Sequence, residues 1–177
     1  MLKKLIFTGT IFALILTSAC QKINDALTFN VNYTSKVSFS PSSGVNLPFD
    51  LFTPEITTNS ETEFSSRNTN KDLIDKITLK EMKLTITSPS DQRFDFLASM
   101  EVYIQAEGLG ELKIAETTNV PDNIGNVLSL TVAGNDIAPY IKKDKFKMRV
   151  KTVTDKSVSK QINVDIYSQY EIKAKLL

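Results

Sequence analysis

The chain has 177 residues, 41% of them hydrophobic and 23% charged, which is enough for one domain with a real core. Lys and Arg number 21 against 20 Asp and Glu, and Lys3 and Lys4 fall in the first stretch, so the remainder is near neutral. No basic stripe with exposed aromatics is present to hold nucleic acid. Histidine is absent and cysteine occurs once. This excludes Ser-His-Asp and Cys-His catalysis, an internal disulfide, and a Cys/His zinc or iron–sulfur site. Any catalysis would rest on carboxylates, Lys, Tyr, Ser or Thr.

The N-terminus opens with a short positive run, Met1-Leu-Lys-Lys4. An apolar stretch follows from Leu5 to Leu16, and Thr17-Ser-Ala19 stand directly before Cys20. Charge, apolar run and small residues, in that order, make a secretory signal, and the run is short for a membrane span of about 20 residues. The string LTSAC resembles the lipobox of bacterial lipoproteins, in which a diacylglycerol joins the cysteine thiol before a peptidase cuts ahead of it. The form is relaxed: Leu16 lies four residues before the cysteine, and Thr17 stands where the usual pattern has leucine. The resemblance implies a signal peptide over 1–19, lipid on Cys20 and a short tether over 20–27. An ordinary secretory signal with an incidental cysteine, or an uncleaved anchor, is the plainer alternative. The sequence Gln21-Lys-Ile-Asn24 lacks the acidic run that resembles a surface-export tag in Bacteroidetes lipoproteins. That favours an outer-membrane anchor with the domain facing the periplasm.

From residue 28 to 177 a single domain is expected, and strand signals dominate it. Phe29, Val31 and Tyr33 alternate with polar residues, then Val37 and Phe39, until Pro41-Ser-Ser-Gly44 turns the chain. Val45 to Phe52 is apolar-rich. It reads as an edge strand carrying Pro48, or as an exposed patch for a protein or glycan. Thr57 to Asn70 reads as a polar loop with a short strand about Thr62–Ser65. Asn70 to Ile77 reads as a helical turn or two capped by Asn70. Met82, Leu84 and Ile86 form a strand closed by Ser88-Pro-Ser90, and Arg93 to Ser99 a turn that lays Phe94 and Leu97 on the core. Met100 to Ala106, Leu112 with Ile114, Leu128 to Val132, Phe146 to Val150, and Ile162 to Ala174 are further alternating strands. Asp136 to Lys142 reads as a short helical crossover with Asp136 at its N-cap.

About seven or eight half-buried strands with short helical turns make this an all-β chain, an antiparallel β-sandwich, with a closed barrel as the alternative. Phe94–Ala115 and Leu128–Val150 resemble a group of lipoproteins and secreted proteins of Bacteroidetes-type bacteria. That resemblance implies an immunoglobulin-like or fibronectin-III-like sandwich and carries over no activity.

Several residues bear on function. Asp91, Asp95 and Glu101 come close together and would suit a paired-carboxylate hydrolase, but a solvated outer strand face explains them as well. Pro121–Asn126 and Gly134–Asp136 offer oxygen ligands for calcium, yet lack the spaced EF-hand pattern and match what turns require. Lys142–Lys147 is a basic cluster for acidic headgroups or an acidic partner, or a solvated strand entry. Asn32-Tyr-Thr34 is formally a glycosylation sequon, with little meaning in a bacterium. The functional expectation is a membrane-anchored, non-catalytic binding or structural module without cofactor, held to the membrane by Cys20 and meeting an envelope protein or glycan. A hydrolase of envelope polysaccharide and an accessory subunit of an envelope complex stand beside it.

Overall fold

The computed structural model describes residues 28–42, 45, 46 and 48–175. The signal segment, Cys20 and the tether lie outside the described residues, as does Leu47 of the apolar-rich segment. The described chain is two packed antiparallel sheets, which is the expected sandwich.

The strand pairing is nested. β1 (Thr28–Phe39) pairs with β10 (Ile162–Ala174). Next inward, β2 (Pro48–Phe52) and β3 (Ile56–Thr57) both pair with β9 (Lys145–Thr154). Then β4 (Ile74–Ser88) pairs with β7 (Val127–Ser129), and β5 (Leu97–Gln105) with β6 (Leu112–Thr118). The result is one long antiparallel hairpin with its bend between β5 and β6. Rolling it up sets β10 against β4 and β9 against β5. The sheets so formed run β1-β10-β4-β7 and β2-β9-β5-β6-β8, with β3 continuing the β2 edge. This is the order of a jelly roll rather than of an immunoglobulin domain. The immunoglobulin-like or fibronectin-III-like connectivity implied by the family resemblance is therefore corrected, while the sandwich itself stands.

Two strands are interrupted. Between β2 and β3, the Thr53 hydroxyl accepts a hydrogen bond from Met148 N (2.9 Å) and Thr53 N donates to Met148 O (2.9 Å), so the edge stays stapled to β9. Between β7 and β8 (Thr131–Val132) only Leu130 intervenes, and there the chain leaves one sheet and joins the other. Counted as whole strands, these pairs reduce the ten segments to eight, in the range the alternation predicts.

The core follows the period-2 pattern. On β10, Ile162, Val164, Ile166, Ser168, Tyr170 and Ile172 all point inward. Tyr33 meets Phe146 and Tyr170 edge-on, both at 5.7 Å, and Phe39 meets Phe96 at 5.3 Å. The Tyr33 hydroxyl donates to Thr58 O at 2.7 Å, and burial, then the Glu63 charge, pushes its pKa up to about 12. Phe94 and Leu97 are buried about a turn closed by Leu97 N to Phe94 O (3.0 Å), as read from the sequence.

Three local readings are corrected. Asn70 caps no helix: its carboxamide accepts from Asp72 N (2.9 Å) and Leu73 N (3.2 Å), and the chain enters β4 at once. The polar loop holds helix α1 (Ser60–Ser65) rather than a strand about Thr62, because Phe64 is drawn into the core against Phe29. The crossover helix is the single turn α2 (Ala138–Ile141), with Ile137 at its N-cap. Asp136 acts from one residue earlier, accepting from Ala138 N (3.0 Å). Among the described residues no helix is long and apolar enough to cross a membrane.

Candidate functional site

Alternation on β9 sends Phe146, Met148 and Val150 inward and turns Lys145, Lys147, Arg149 and Lys151 to the outer face of the larger sheet. Register sets Lys147, Arg149 and Lys151 against Gln105, Tyr103 and Glu101 of β5, and Arg149 and Lys151 against Phe52 and Asp50 of β2. Cross-strand neighbours on one face interact, and here they close a lattice of opposite charges. The Arg149 guanidinium lies over the Tyr103 ring, 4.3 Å from its centroid. It donates to both oxygens of Glu111 (2.8 and 2.7 Å) and to Asp50 (2.8 Å). Gln105 also donates to Glu111. Beside it, Lys151 and Lys113 bind Glu101 at 2.9 and 3.5 Å, and Lys113 binds Glu116 at 2.7 Å. Hydrogen bonding from Arg149 holds the Glu111 carboxyl below the usual range, and the bond from Lys151 does the same for Glu101.

At one end of this face lies an open cleft of about 1030 Å³. One wall is the β5–β6 turn, where Gly108 adopts φ 74°, a conformation glycine takes without Cβ strain. The other wall is the α2–β9 turn. The Tyr140 hydroxyl ties the two walls by donating to Gly110 O at 2.7 Å. Glu55, Glu107, Glu111, Lys143, Lys145 and Lys147 line the opening, with Phe146 at its base. Lys145 pairs with Glu55 at 3.1 Å. Next to the cleft, Phe52 is 54% exposed, the most open of the large apolar side chains described, with the Lys147 ammonium 5.8 Å from its ring centre. The arrangement offers an apolar plate beside ionic groups of both signs on a stiff sheet.

The candidates read from the sequence land as follows. Asp91 is exposed in a turn. Asp95 pairs with Lys156 at 3.3 Å, and Glu101 with the lysines named above. Asp95 precedes β5, whereas Glu101 lies four strand steps beyond Leu97, roughly 13 Å, and the two carboxylates serve different cations. In the proposed calcium loops, Asp122 pairs with Lys156 at 2.6 Å and Asp136 accepts from Ile77 N (3.1 Å) as well as Ala138 N. Asn135 donates to Lys113 O at 3.0 Å. These side chains fasten turns, and among the described residues no group of three or more acidic or Cys side chains is placed to hold a metal.

The basic run Lys142–Lys147 is more than a solvated strand entry. Lys142 donates to Ile74 O (2.8 Å), Asp144 binds Lys71 (3.0 Å), and Lys143, Lys145 and Lys147 form the cleft wall. Val45–Phe52 divides: Phe49 and Leu51 pack on the core as an edge strand does, while Phe52 faces solvent. Asn32 and Thr34 sit exposed on β1. The Arg149 clamp is not visible in the sequence. The alternating KFKMRVK signals an outward basic row, but Glu111, Asp50 and Tyr103 reach it from three other places in the chain.

No protein-family model matches the chain, and no curated protein matches it. Among solved structures, it is similar in shape to a cyanophage Pam1 capsid chain at 6% identity, over 81% of this chain and 85% of that one, with a TM-score of 0.42. The BFDV capsid protein aligns at 8% identity over 84% and 98%, with a TM-score of 0.42. The CpGH89CBM32-5 protein of Clostridium perfringens, solved with GalNAc-β-1,3-galactose, aligns at 9% identity over 81% and 96%, with a TM-score of 0.35.

Proposed function

We propose that this chain is a lipid-anchored, non-catalytic binding module of the bacterial cell envelope, exported by residues 1–19 and held through Cys20 at the outer membrane, facing the periplasm. The observation that carries the binding reading is the open cleft of Lys and Glu side chains beside exposed Phe52. A polar envelope polymer could lay an apolar face on the ring and its charged or hydroxyl groups into the cleft.

The tether adds a direction. Thr28, where the described chain begins, is registered against Lys173, and Lys175 N donates to Leu73 O (2.7 Å). The Lys71–Ile74 segment there binds Asp144 and Lys142 of the cleft wall. The cleft thus opens at the same end of the sandwich as Thr28, which supports a cleft presented toward the membrane in the proposed anchoring.

A carboxylate hydrolase needs one acid kept protonated by a raised pKa. Glu101 and Glu111 are shifted the other way by their cations, so both serve as ionised partners. An accessory-subunit role differs only in what the cleft meets.

One experiment in intact cells tests the reading. A photo-crosslinking residue is placed at Phe52, at Leu109, or at Lys83 on the opposite sheet. Adducts to an envelope component are expected from the first two positions and not from the third, and Cys20→Ser should lose fatty-acid label and leave the membrane fraction. Equal adducts from all three positions would remove the cleft reading. A labelled, membrane-bound Cys20→Ser protein would remove the anchor.

A further inference from the structure

Three of the four sandwich edges are blunted. β7 and β8 span three and two residues, and the β2–β3 edge starts at Pro48 and breaks at Thr53. Short, proline-bearing or broken edges resist pairing with other chains. β1 is different. It runs 12 residues, about 40 Å, and keeps register with β10 from Thr28↔Lys173 to Phe39↔Ile162 without a bulge. Every second residue of an antiparallel edge strand turns its N–H and C=O away from its neighbour. Among the described residues, the one bond to β1 backbone from outside that ladder is Ser168 Oγ to Tyr33 O (3.2 Å), and it comes from β10 itself. The outward side chains of β1 are Thr28, Asn30, Asn32, Thr34, Lys36 and Ser38, all exposed, with a single charge among them.

We propose that β1 is a self-association edge, pairing antiparallel with β1 of a second copy to join two four-stranded sheets across a two-fold axis. The side chains favour a copy over a foreign strand. A charged partner strand would be selected by charges on the edge, and Lys36, the only one, is registered against Asp165 of its own β10. A copy meets no like charge. With the axis at Asn32, Asn32 faces Asn32, Asn30 faces Thr34 and Lys36 faces Thr28, so each pair is neutral or singly charged and able to hydrogen-bond.

The test uses the full chain in density-matched detergent, followed by sedimentation equilibrium. The wild-type protein is expected to show a concentration-dependent monomer–dimer equilibrium. N32K and N32D each put like charges on the axis and should weaken it by about tenfold, and an equimolar mixture of the two should regain the wild-type equilibrium. Both substitutions are at an exposed position, so at a dilution where wild type and variants are all monomeric their melting temperatures should coincide, which excludes misfolding as the cause. A wild-type protein that stays monomeric, or an N32K protein that dimerises as well as wild type, would overturn the proposal. Heterologous capture of another protein by a monomeric chain would also overturn it.

Discussion

Arg149 gathers side chains from three strands and a turn into one contact. It sits on β9, stacks on Tyr103 of β5, and binds Asp50 of β2 and Glu111 in the turn just before β6. With its side chain only 17% exposed, the pairing with Glu111 is bidentate and partly shielded, where a charge-assisted bond exceeds an ordinary surface pair. Arg149→Met keeps the stem and removes the fork, and should cost about 1.5 kcal/mol. Paired with Glu111→Gln in a double-mutant cycle, it should show coupling of about 1 kcal/mol. The same pair has a pH signature. A carboxyl whose folded pKa lies below its unfolded value, about 4.3, stabilises the fold above that value. It gives this up as pH falls through the folded one. Glu101 and Glu111 are both lowered, so the melting temperature should hold near neutrality and drop below about pH 5. Glu111→Gln should flatten that drop, and an unchanged acid limb in its melting curve would refute the clamp.

At the scale of elements, most of the fold is legible because strand alternation is local. The exceptions share one cause. The first half of β4 looks helical, with Leu73, Ile74 and Ile77 spaced as on one helix face, yet it is strand. Its ladder with β10 slips at Asp75 and again at Lys80, each an extra residue without a register partner. A bulge shifts the inward phase by one, so Ile74 and Ile77, and then Leu79 and Met82, point the same way at a spacing of three. Periodicity alone cannot distinguish that from a helix turn. The opposite error occurs at α1, whose SETEFS sequence has too little apolar content to announce a helix. There Asn59 enters with φ 47°, a left-handed value asparagine tolerates, and tertiary burial of Phe64 decides the outcome. The helix therefore stands or falls on one ring. Phe64→Ala should destabilise the domain by about 3–4 kcal/mol, read as a lower urea midpoint with an unchanged slope.

For the whole molecule, the sandwich is readable in the sequence and the jelly-roll order is not. Alternation says which face each strand buries, and it is silent about the neighbour along the sheet edge. That choice depends on pairings such as Thr28 with Lys173, which join opposite ends of the chain. The candidate site was half hidden for the same reason: Lys145, Lys147 and Phe52 are visible as outward residues, but the cleft exists only once the β5–β6 turn and α2 are brought over them. Nesting also orders folding. The β5–β6 hairpin closes a short loop, whereas β1 and β10 close nearly the whole chain, and loop closure costs more entropy as the loop lengthens. The inner strands should therefore be structured in the transition state and β1 should dock late. Val102 of β5 and Val37 of β1 are both buried, at 0% and 5% exposure, so truncating either to Ala should cost a similar equilibrium amount, about 1.5–2 kcal/mol. Stopped-flow kinetics should then separate them. Val102→Ala should mainly slow folding, and Val37→Ala should leave folding nearly unchanged and speed unfolding. If Val37→Ala slows folding as much as Val102→Ala does, the chain ends pair before the roll closes, and the inside-out order is wrong.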